Sequence, residues 1–129
     1  MYKELIICII TVIIIIIINQ VTCNYTKESV NELTTKLSEL RFEILNKDTS
    51  KNKAISELQN IFEVWNNRYK VLACYIEHDE LEKVETNLNS LYGEIESEEY
   101  KEAVSELDKT NFILHHIERK NKFDLKNVF

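Results

Sequence analysis

Two groups of histidines and carboxylates are the residues of this sequence best suited to metal chemistry. They are Glu77, His78 and Asp79 in the first group, and His115, His116 and Glu118 in the second. Imidazole nitrogens and carboxylate oxygens bind zinc and other divalent ions. In the competing interpretation Asp79 caps a helix, His78 donates a hydrogen bond across a turn, and the two glutamates are solvated. A metal site requires a fold that brings the two groups together.

A second candidate combines the one tryptophan with polar neighbours. Trp65 is followed by Asn66, Asn67 and Arg68. An aromatic ring beside hydrogen-bonding groups is a common contact surface for a ligand or a protein partner. The alternative is that Trp65, as a lone tryptophan on the apolar stripe of a helix, anchors the core. Both interpretations stay open.

A third candidate is acidic. Glu94, Glu96, Glu98 and Glu99 crowd one stretch, but their spacing differs from that of a calcium-binding loop, which favours a solvated acidic tip. The sequence also has no serine or cysteine constellation and no glycine-rich loop. We therefore predict that the protein is not an enzyme, with no catalytic residues and no cofactor.

The N-terminal segment is predicted to be a membrane anchor, and the candidate residues above lie in the chain that follows it. Residues 5–18 are almost entirely apolar and end in six consecutive isoleucines, and the uncharged window extends to about 22 residues. A spanning helix needs about 20 residues, and a segment in lipid must satisfy its own backbone hydrogen bonds as a helix. We predict an anchor over residues 1–23 that contacts the bilayer through residues 5–21. The charges near its ends favour a single-pass protein with the bulk of the chain outside the cytoplasm.

Two other interpretations of this segment fit less well. A cleaved signal peptide has small residues after its apolar core, whereas this core runs from Ile18 into Asn19 and Gln20. A lipid-modified Cys23 would need a small residue before it, where Thr22 stands. A retained anchor is therefore the prediction.

The remaining hundred or so residues are enough for one domain. The net charge of -6 lies on this part, because Lys3 and Glu4 cancel, and it would repel the backbone of a nucleic acid. The sequence has no proline, and Gly93 is the one glycine, so the residues that tight hairpins need are missing. The fold class predicted is all-α.

Four apolar stripes at helical spacing follow the anchor. They extend over residues 30–44, 54–76, 81–95 and 100–117. Since no helix breaker separates the first stripe from the anchor, we expect one helix to contain both and to end near Asn46. Residues between the first and second stripes include turn formers and N-cap candidates.

The breaks between the later helices are predicted from phase and capping. The stripe shifts by one residue at 77–79, with Asp79 and Glu82 as a capping box, and Ser97 is the expected N-cap of the fourth helix. Short connections make successive helices antiparallel. The prediction is an up-down bundle of about four helices over residues 24–119, which brings His78 and His115 to the end facing the membrane.

The C-terminal tail, residues 120–129, combines lysines with apolar residues that include Phe123 and Phe129. If the fourth helix descends, this tail meets the bilayer, where lysines gain from anionic headgroups and phenylalanines from the interface. The alternative is that it folds back and closes the open end of the bundle.

The three cysteines match no zinc spacing. Cys8 lies in the apolar run, whereas Cys23 and Cys74 are expected near the same level of the bundle. A disulfide between Cys23 and Cys74 is left open.

Several short motifs resemble a known family. They are Trp65, the run Tyr75-Ile76-Glu77-His78-Asp79-Glu80-Leu81, Leu88, Leu91, and the end Leu125-Lys126-Asn127-Val128-Phe129. These resemble DUF4363, a family of small membrane-anchored bacterial proteins, over essentially the whole chain. The resemblance implies a Gram-positive source and a helical domain outside the cytoplasmic membrane. It implies no activity.

An interaction or scaffold module held at the membrane is the function these features favour. Amphipathic helices with an unused apolar stripe can pair with a partner protein or with each other as a coiled coil. Trp65, Arg68, Phe123 and Phe129 are the candidate contact residues. The alternative is a small domain that binds a ligand or a divalent metal at the end holding His78 and His115.

Overall fold

The computed structural model describes residues 1–46 and 48–128, with side chains up to residue 122. This part of the chain contains four helices and no strand, which confirms the all-α prediction. The helices are α1 (Tyr2–Leu45), α2 (Lys51–Leu72), α3 (His78–Glu96) and α4 (Tyr100–Val128).

The four helices form an up-down bundle. Each packs against two neighbours, in the cyclic order α1, α2, α3, α4 and back to α1. The pairs between α1 and α4 show the antiparallel direction, since Arg41 meets Asp108 at 3.0 Å and Thr26 meets Asn121 at 3.2 Å. Short connections between sequential helices enforce this arrangement.

The core is built from the predicted apolar stripes, because side chains three and four residues apart lie on one helix face. Burying a leucine or isoleucine contributes about 1.5–3 kcal/mol. The buried apolar residues are Val30, Leu33, Leu37, Leu40 and Ile44 of α1, Ala54, Leu58, Ile61, Trp65 and Leu72 of α2, Leu81, Val84, Leu88, Leu91 and Ile95 of α3, and Ala103, Leu107, Leu114 and Ile117 of α4.

Three buried hydroxyl side chains share this core. Thr26, Ser29 and Thr110 each donate a hydrogen bond to the carbonyl oxygen four residues earlier in the same helix, at 2.8, 2.7 and 2.8 Å. A buried hydroxyl without a partner is costly. The helix backbone therefore makes these residues acceptable at core positions.

The N-terminal half of α1 projects from the bundle. Its side chains are exposed over residues 2–18, whereas residues from Thr26 onward enter the core. This segment is long and apolar enough to cross a membrane, so it fits a membrane span or a signal anchor. The expected single helix from the anchor to the first stripe is confirmed, and it ends at Leu45, close to Asn46.

The start of α2 follows the predicted capping chemistry. Ser50 is the N-cap, and its hydroxyl accepts a hydrogen bond from the Lys53 backbone N–H at 3.3 Å. The end of α2 differs from the apolar pattern, because the helix ends at Leu72 although the stripe continues to Ile76. Tyr75 and Ile76 stay half-buried in the connection of residues 73–77, so burial continues after the helix has ended.

Two capping predictions were wrong. The N-cap of α3 is Glu77, without a side-chain cap bond, and Asp79 lies inside the first turn, where its charge favours the positive end of the helix. Ser97 is the C-cap of α3 rather than the N-cap of α4, because α4 begins at Tyr100.

Candidate functional site

A polar network joins three elements at the end of the bundle nearest the apolar half of α1, which we call the proximal end. The Tyr75 hydroxyl lies 2.7 Å from Thr26 Oγ1 and 3.2 Å from the carbonyl oxygen of Thr22. Asn121 donates from Nδ2 to the same Thr26 oxygen at 3.2 Å. Burial raises the pKa of Tyr75 and so favours the protonated form of its hydroxyl. Thr26 thus connects α1 to the 73–77 connection and to α4.

Ion pairs surround a buried carboxylate beside this network. Glu80 is 8% exposed, and its Oε1 lies 3.6 Å from Lys83 Nζ and 3.8 Å from Lys120 Nζ. Lys120 also lies 3.1 Å from Glu77 Oε2. The lysines compensate the charge that burial would otherwise make costly. The two pairs of Lys120 hold the start of α3 and the residue before it against the end of α4.

A small pocket of about 120 Å³ opens between these side chains. Its walls carry a hydroxyl, an amide, an ammonium and two carboxyl groups together with apolar surface. The lining residues are Tyr75, Ile76, Glu77, Glu80, Ile117, Lys120 and Asn121. Such a pocket suits a small polar molecule.

The two histidine groups lie toward the proximal end but do not form the expected joint cluster. His78, His115 and His116 are all exposed, and His115 Nδ1 lies 3.7 Å from Glu118 of its own helix. The part of the chain that the structure describes contains no group of three or more potential ligands suited to a metal ion. The reason is helical phase: Leu114 and Ile117 occupy the inward positions of α4, so the intervening histidines face outward.

Trp65 lies inside the bundle with an exposed fraction of 0%. Its ring centroid is 5.9 Å from that of Tyr69, in a tilted arrangement. Of the two interpretations of this tryptophan, the burial supports the core anchor, and the ring is not available as a contact surface in the folded chain.

Arg68, the polar neighbour of that tryptophan, is engaged within the bundle. Its Nη2 and Nε donate to Glu32 Oε2 at 2.6 and 2.9 Å, and its guanidinium lies 5.0 Å from the centre of the Tyr25 ring. The hydrogen bond to Glu32 raises the pKa of Arg68. This residue therefore fastens α2 to α1.

The C-terminal tail is a continuation of α4. The helix runs unbroken through residue 120 to Val128, past the contact between Asn121 and Thr26 and toward the apolar half of α1. Lys122 is exposed. The side chain of Phe123 and the whole of Phe129, both named as contact residues, lie outside the described residues.

Cys8, Cys23 and Cys74 are free thiols in the structure. Cys23 and Cys74 both lie around Tyr75 and add to the rise of its pKa, which agrees with their expected common level. A disulfide between them stays a prediction.

Residues 20–128 match the family model described as a domain of unknown function, DUF4363. The chain belongs to the DUF4363 family. No curated protein and no solved structure matches it. The DUF4363 match contains the whole packed part of α1, all of α2 and α3, and α4 to Val128, and it begins just after the run of isoleucines.

Within this DUF4363 domain, sequence reasoning missed the polar network of the proximal end. One signal was available for Thr26, which lies four residues before Val30 and continues the apolar stripe of α1 upstream. Asn121 and Glu80 carry no such signal, since a polar residue near a helix end is usually solvated. The burial of Glu80 and the contacts of Asn121 depend on how α3 and α4 meet.

Proposed function

We propose that the protein is a single-pass, membrane-anchored helical module outside the cytoplasm that acts by binding other proteins. One observation carries this proposal: α1 is an unbroken helix that contains both an exposed apolar segment of spanning length and core residues of the bundle. This continuity favours a retained anchor, because cleavage after the apolar segment would cut through a helix that continues into the core.

The continuous α1 has a mechanical consequence for the proposal. With no linker between span and bundle, the helix fixes the height and direction of the domain above the lipid. At about 1.5 Å per residue, residues 21–45 carry the far end of the bundle roughly 36 Å from the bilayer. Such an arrangement suits a spacer or scaffold that presents a surface at a set distance.

The polar groups of the bundle support an interaction role over a catalytic one. Arg68, Glu80 and Tyr75 each hold two elements of the fold together, as described above. An enzyme needs a nucleophile, base or metal that is poised in a cleft rather than used in packing. In this proposal the protein has no catalytic residue and no cofactor, and it does not bind nucleic acid.

Membrane extraction and thiol labelling test the anchor and its orientation. We expect the full chain to stay in the membrane fraction at alkaline pH and Cys74, which is exposed, to react with an impermeant maleimide on intact cells. The Cys74→Ser variant identifies the labelled site. A mature chain found in the medium without its first two dozen residues contradicts the proposal.

The pocket of the proximal end favours a second candidate, a small domain that binds a polar ligand or a divalent metal there. Its polar wall is described above, and His78 and His115 lie toward the same end of the bundle. Zinc and nickel titrations followed by melting temperature test the metal form, because a ligand of the native state raises stability. An unchanged melting temperature removes it.

A further inference from the structure

A pocket lined by both apolar and polar side chains lies at the end of the bundle opposite the apolar half of α1, which we call the distal tip. It holds about 250 Å³ and opens between the α1–α2 connection and the first turn of α4. Its lining residues are Ile44, Leu45, Asn46, Thr49, Ser50, Ala54 and Tyr100. A space of this size accepts one large apolar side chain.

Exposed apolar side chains flank this pocket. Phe42 is 72% exposed and Leu45 is 57% exposed, and they lie three residues apart on one face of α1. Between residue 22 and residue 122, the only other exposed large aliphatic or phenylalanine side chains described are Val71 and Phe112. Adjacent exposed apolar groups beside a pocket are typical of a protein-binding surface.

The charge around the pocket determines which partner fits it. Residues 94–106, which include the α3–α4 connection, contain six glutamates and one lysine, whereas residues 48–53 on the α1–α2 side contain two lysines and one aspartate, so the two stretches together remain acidic. The carboxylates repel one another: burial raises the pKa of Glu94, and Glu106 and Glu102 raise it further. A cationic partner would relieve this repulsion, whereas an acidic one would add to it.

The geometry points to the class of partner that the proposed function requires. We propose that the distal tip binds a cationic amphipathic segment of a partner protein, and this inference rests on the proposed function. An apolar side chain of that segment enters the pocket between Leu45 and Tyr100. Its lysines or arginines lie against Glu98, Glu99 and Glu102.

A second copy of the chain fits this surface poorly. Two distal tips carry the same negative charge and repel each other. The basic end of α4 in a neighbouring copy lies beside the apolar half of α1, and an equally anchored neighbour keeps it a bundle length away from the tip. A different protein is therefore the occupant.

Binding of a designed peptide tests the charged half of the proposal. The probe is a fluorescent amphipathic helix of leucine and lysine, and the protein is the full chain in nanodiscs of zwitterionic lipid, which do not attract the peptide by charge. The triple variant Glu98→Gln, Glu99→Gln, Glu102→Gln is expected to bind about tenfold more weakly. The matched variant Glu28→Gln, Asp79→Asn, Glu82→Gln removes the same charge from exposed positions away from the tip, and its affinity should change less than about twofold.

Substitution of the exposed apolar residues tests the other half. Leu45→Gln is expected to weaken binding of the same peptide by about tenfold, because the pocket then offers a polar wall to an apolar side chain. Val71→Gln is the control, since Val71 is 43% exposed near the end of α2 and does not line this pocket. Circular dichroism melts establish that all variants are folded.

Equal losses in both triple variants overturn the inference, because they indicate attraction to bulk charge alone. Unchanged affinity in Leu45→Gln also overturns it. The binding assays test the docking surface, whereas alkaline extraction tests the membrane anchor of the proposed function, so the two failures can be told apart. A chain that stays in the membrane while its tip variants bind like the parent protein refutes the docking surface alone.

Discussion

The most informative single residue at the proximal end is Tyr75, because its hydroxyl meets two groups of α1. It follows the last turn of α2, and a backbone hydrogen bond from its N–H to the Leu72 carbonyl acts together with tertiary contacts to fix its position. Buried hydrogen bonds of this kind contribute modestly when made and cost more when one partner is left alone. Substitution of Tyr75 therefore tests how tightly the 73–77 connection is held against α1.

Replacing Tyr75 by phenylalanine is expected to lower the free energy of unfolding by about 0.5–1.5 kcal/mol. Thr26→Val should cost more, because it leaves both the Tyr75 hydroxyl and the Asn121 amide without their shared oxygen. Thr26→Ser keeps that oxygen and is the matched control. Urea unfolding of the three variants and the double variant measures the coupling, and additive effects of Tyr75→Phe and Thr26→Val would contradict the contact.

Glu94 predicts a pH dependence of stability. Burial and the neighbouring carboxylates raise its pKa in the folded state above the ordinary value of 4.5. The folded state then binds more protons than the unfolded chain, so stability falls as pH rises from 4.5 through the raised value. At neutral pH the full free-energy cost of the charged Glu94 in the folded state is present. Glu94→Gln removes this cost and is expected to stabilise the bundle.

The same change should flatten the dependence of the unfolding free energy on pH between neutrality and 4.5. Glu82→Gln removes an equal charge from an exposed site of α3 and is the control. Denaturant melts at several pH values give the comparison. A Glu94→Gln variant whose pH profile keeps the parent slope would show that its surroundings do not disfavour the charged form.

At the scale of the helices, periodicity predicted the inward faces well. The stripe of α1 from Val30 to Ile44 is buried at each expected position, because one helix face meets two neighbours along its length. The end of α2 could not be read in this way, since Tyr75 and Ile76 remain half-buried in a connection. Periodicity reports burial, and burial alone does not distinguish a last helical turn from a packed loop.

The candidate site was less predictable than the fold for a related reason. Antiparallel packing predicts which helix ends meet, and His78 and His115 do lie toward one end. Which side chains point at each other depends on the rotation of each helix about its axis. In α4 that rotation places Leu114 and Ile117 inward and Asn121 against Thr26, leaving His115 and His116 in solvent.

The connection between α3 and α4 has a residue type that its backbone disfavours. Glu98 has a φ of 59°, and the chain around it makes the hydrogen bonds of a Schellman motif, from Glu98 N–H to the Ile95 carbonyl at 3.0 Å and from Glu99 N–H to the Glu94 carbonyl at 2.8 Å. Glycine is usual at this position because it has no Cβ to clash.

Glu98→Gly is expected to raise the free energy of unfolding by about 1 kcal/mol, since it removes left-handed strain. Glu98→Ala is the matched control: it removes the same charge but keeps the Cβ. The difference between the two variants isolates the backbone contribution from the relief of acidic repulsion. Thermal melts measure both, and an alanine variant as stable as the glycine variant would contradict the strain.

For the whole molecule, the final prediction follows from the difference in burial between the two halves of α1. Residues 2–18 are exposed and lie outside the core, whereas Thr26, Ser29 and Val30 are buried in it. Removing residues 2–21 is therefore expected to give a water-soluble chain with the helical content of the bundle and a cooperative melt.

Removing residues 2–34 takes Thr26, Val30 and Leu33 from the core and should abolish that melt, because each buried apolar side chain lost costs about 2–5 kcal/mol against a total free energy of unfolding of about 5–15 kcal/mol. Circular dichroism and gel filtration compare the two truncations. If the shorter deletion aggregated or unfolded, the apolar half of α1 would be part of the domain itself, and the separation between the apolar segment and the bundle would be wrong.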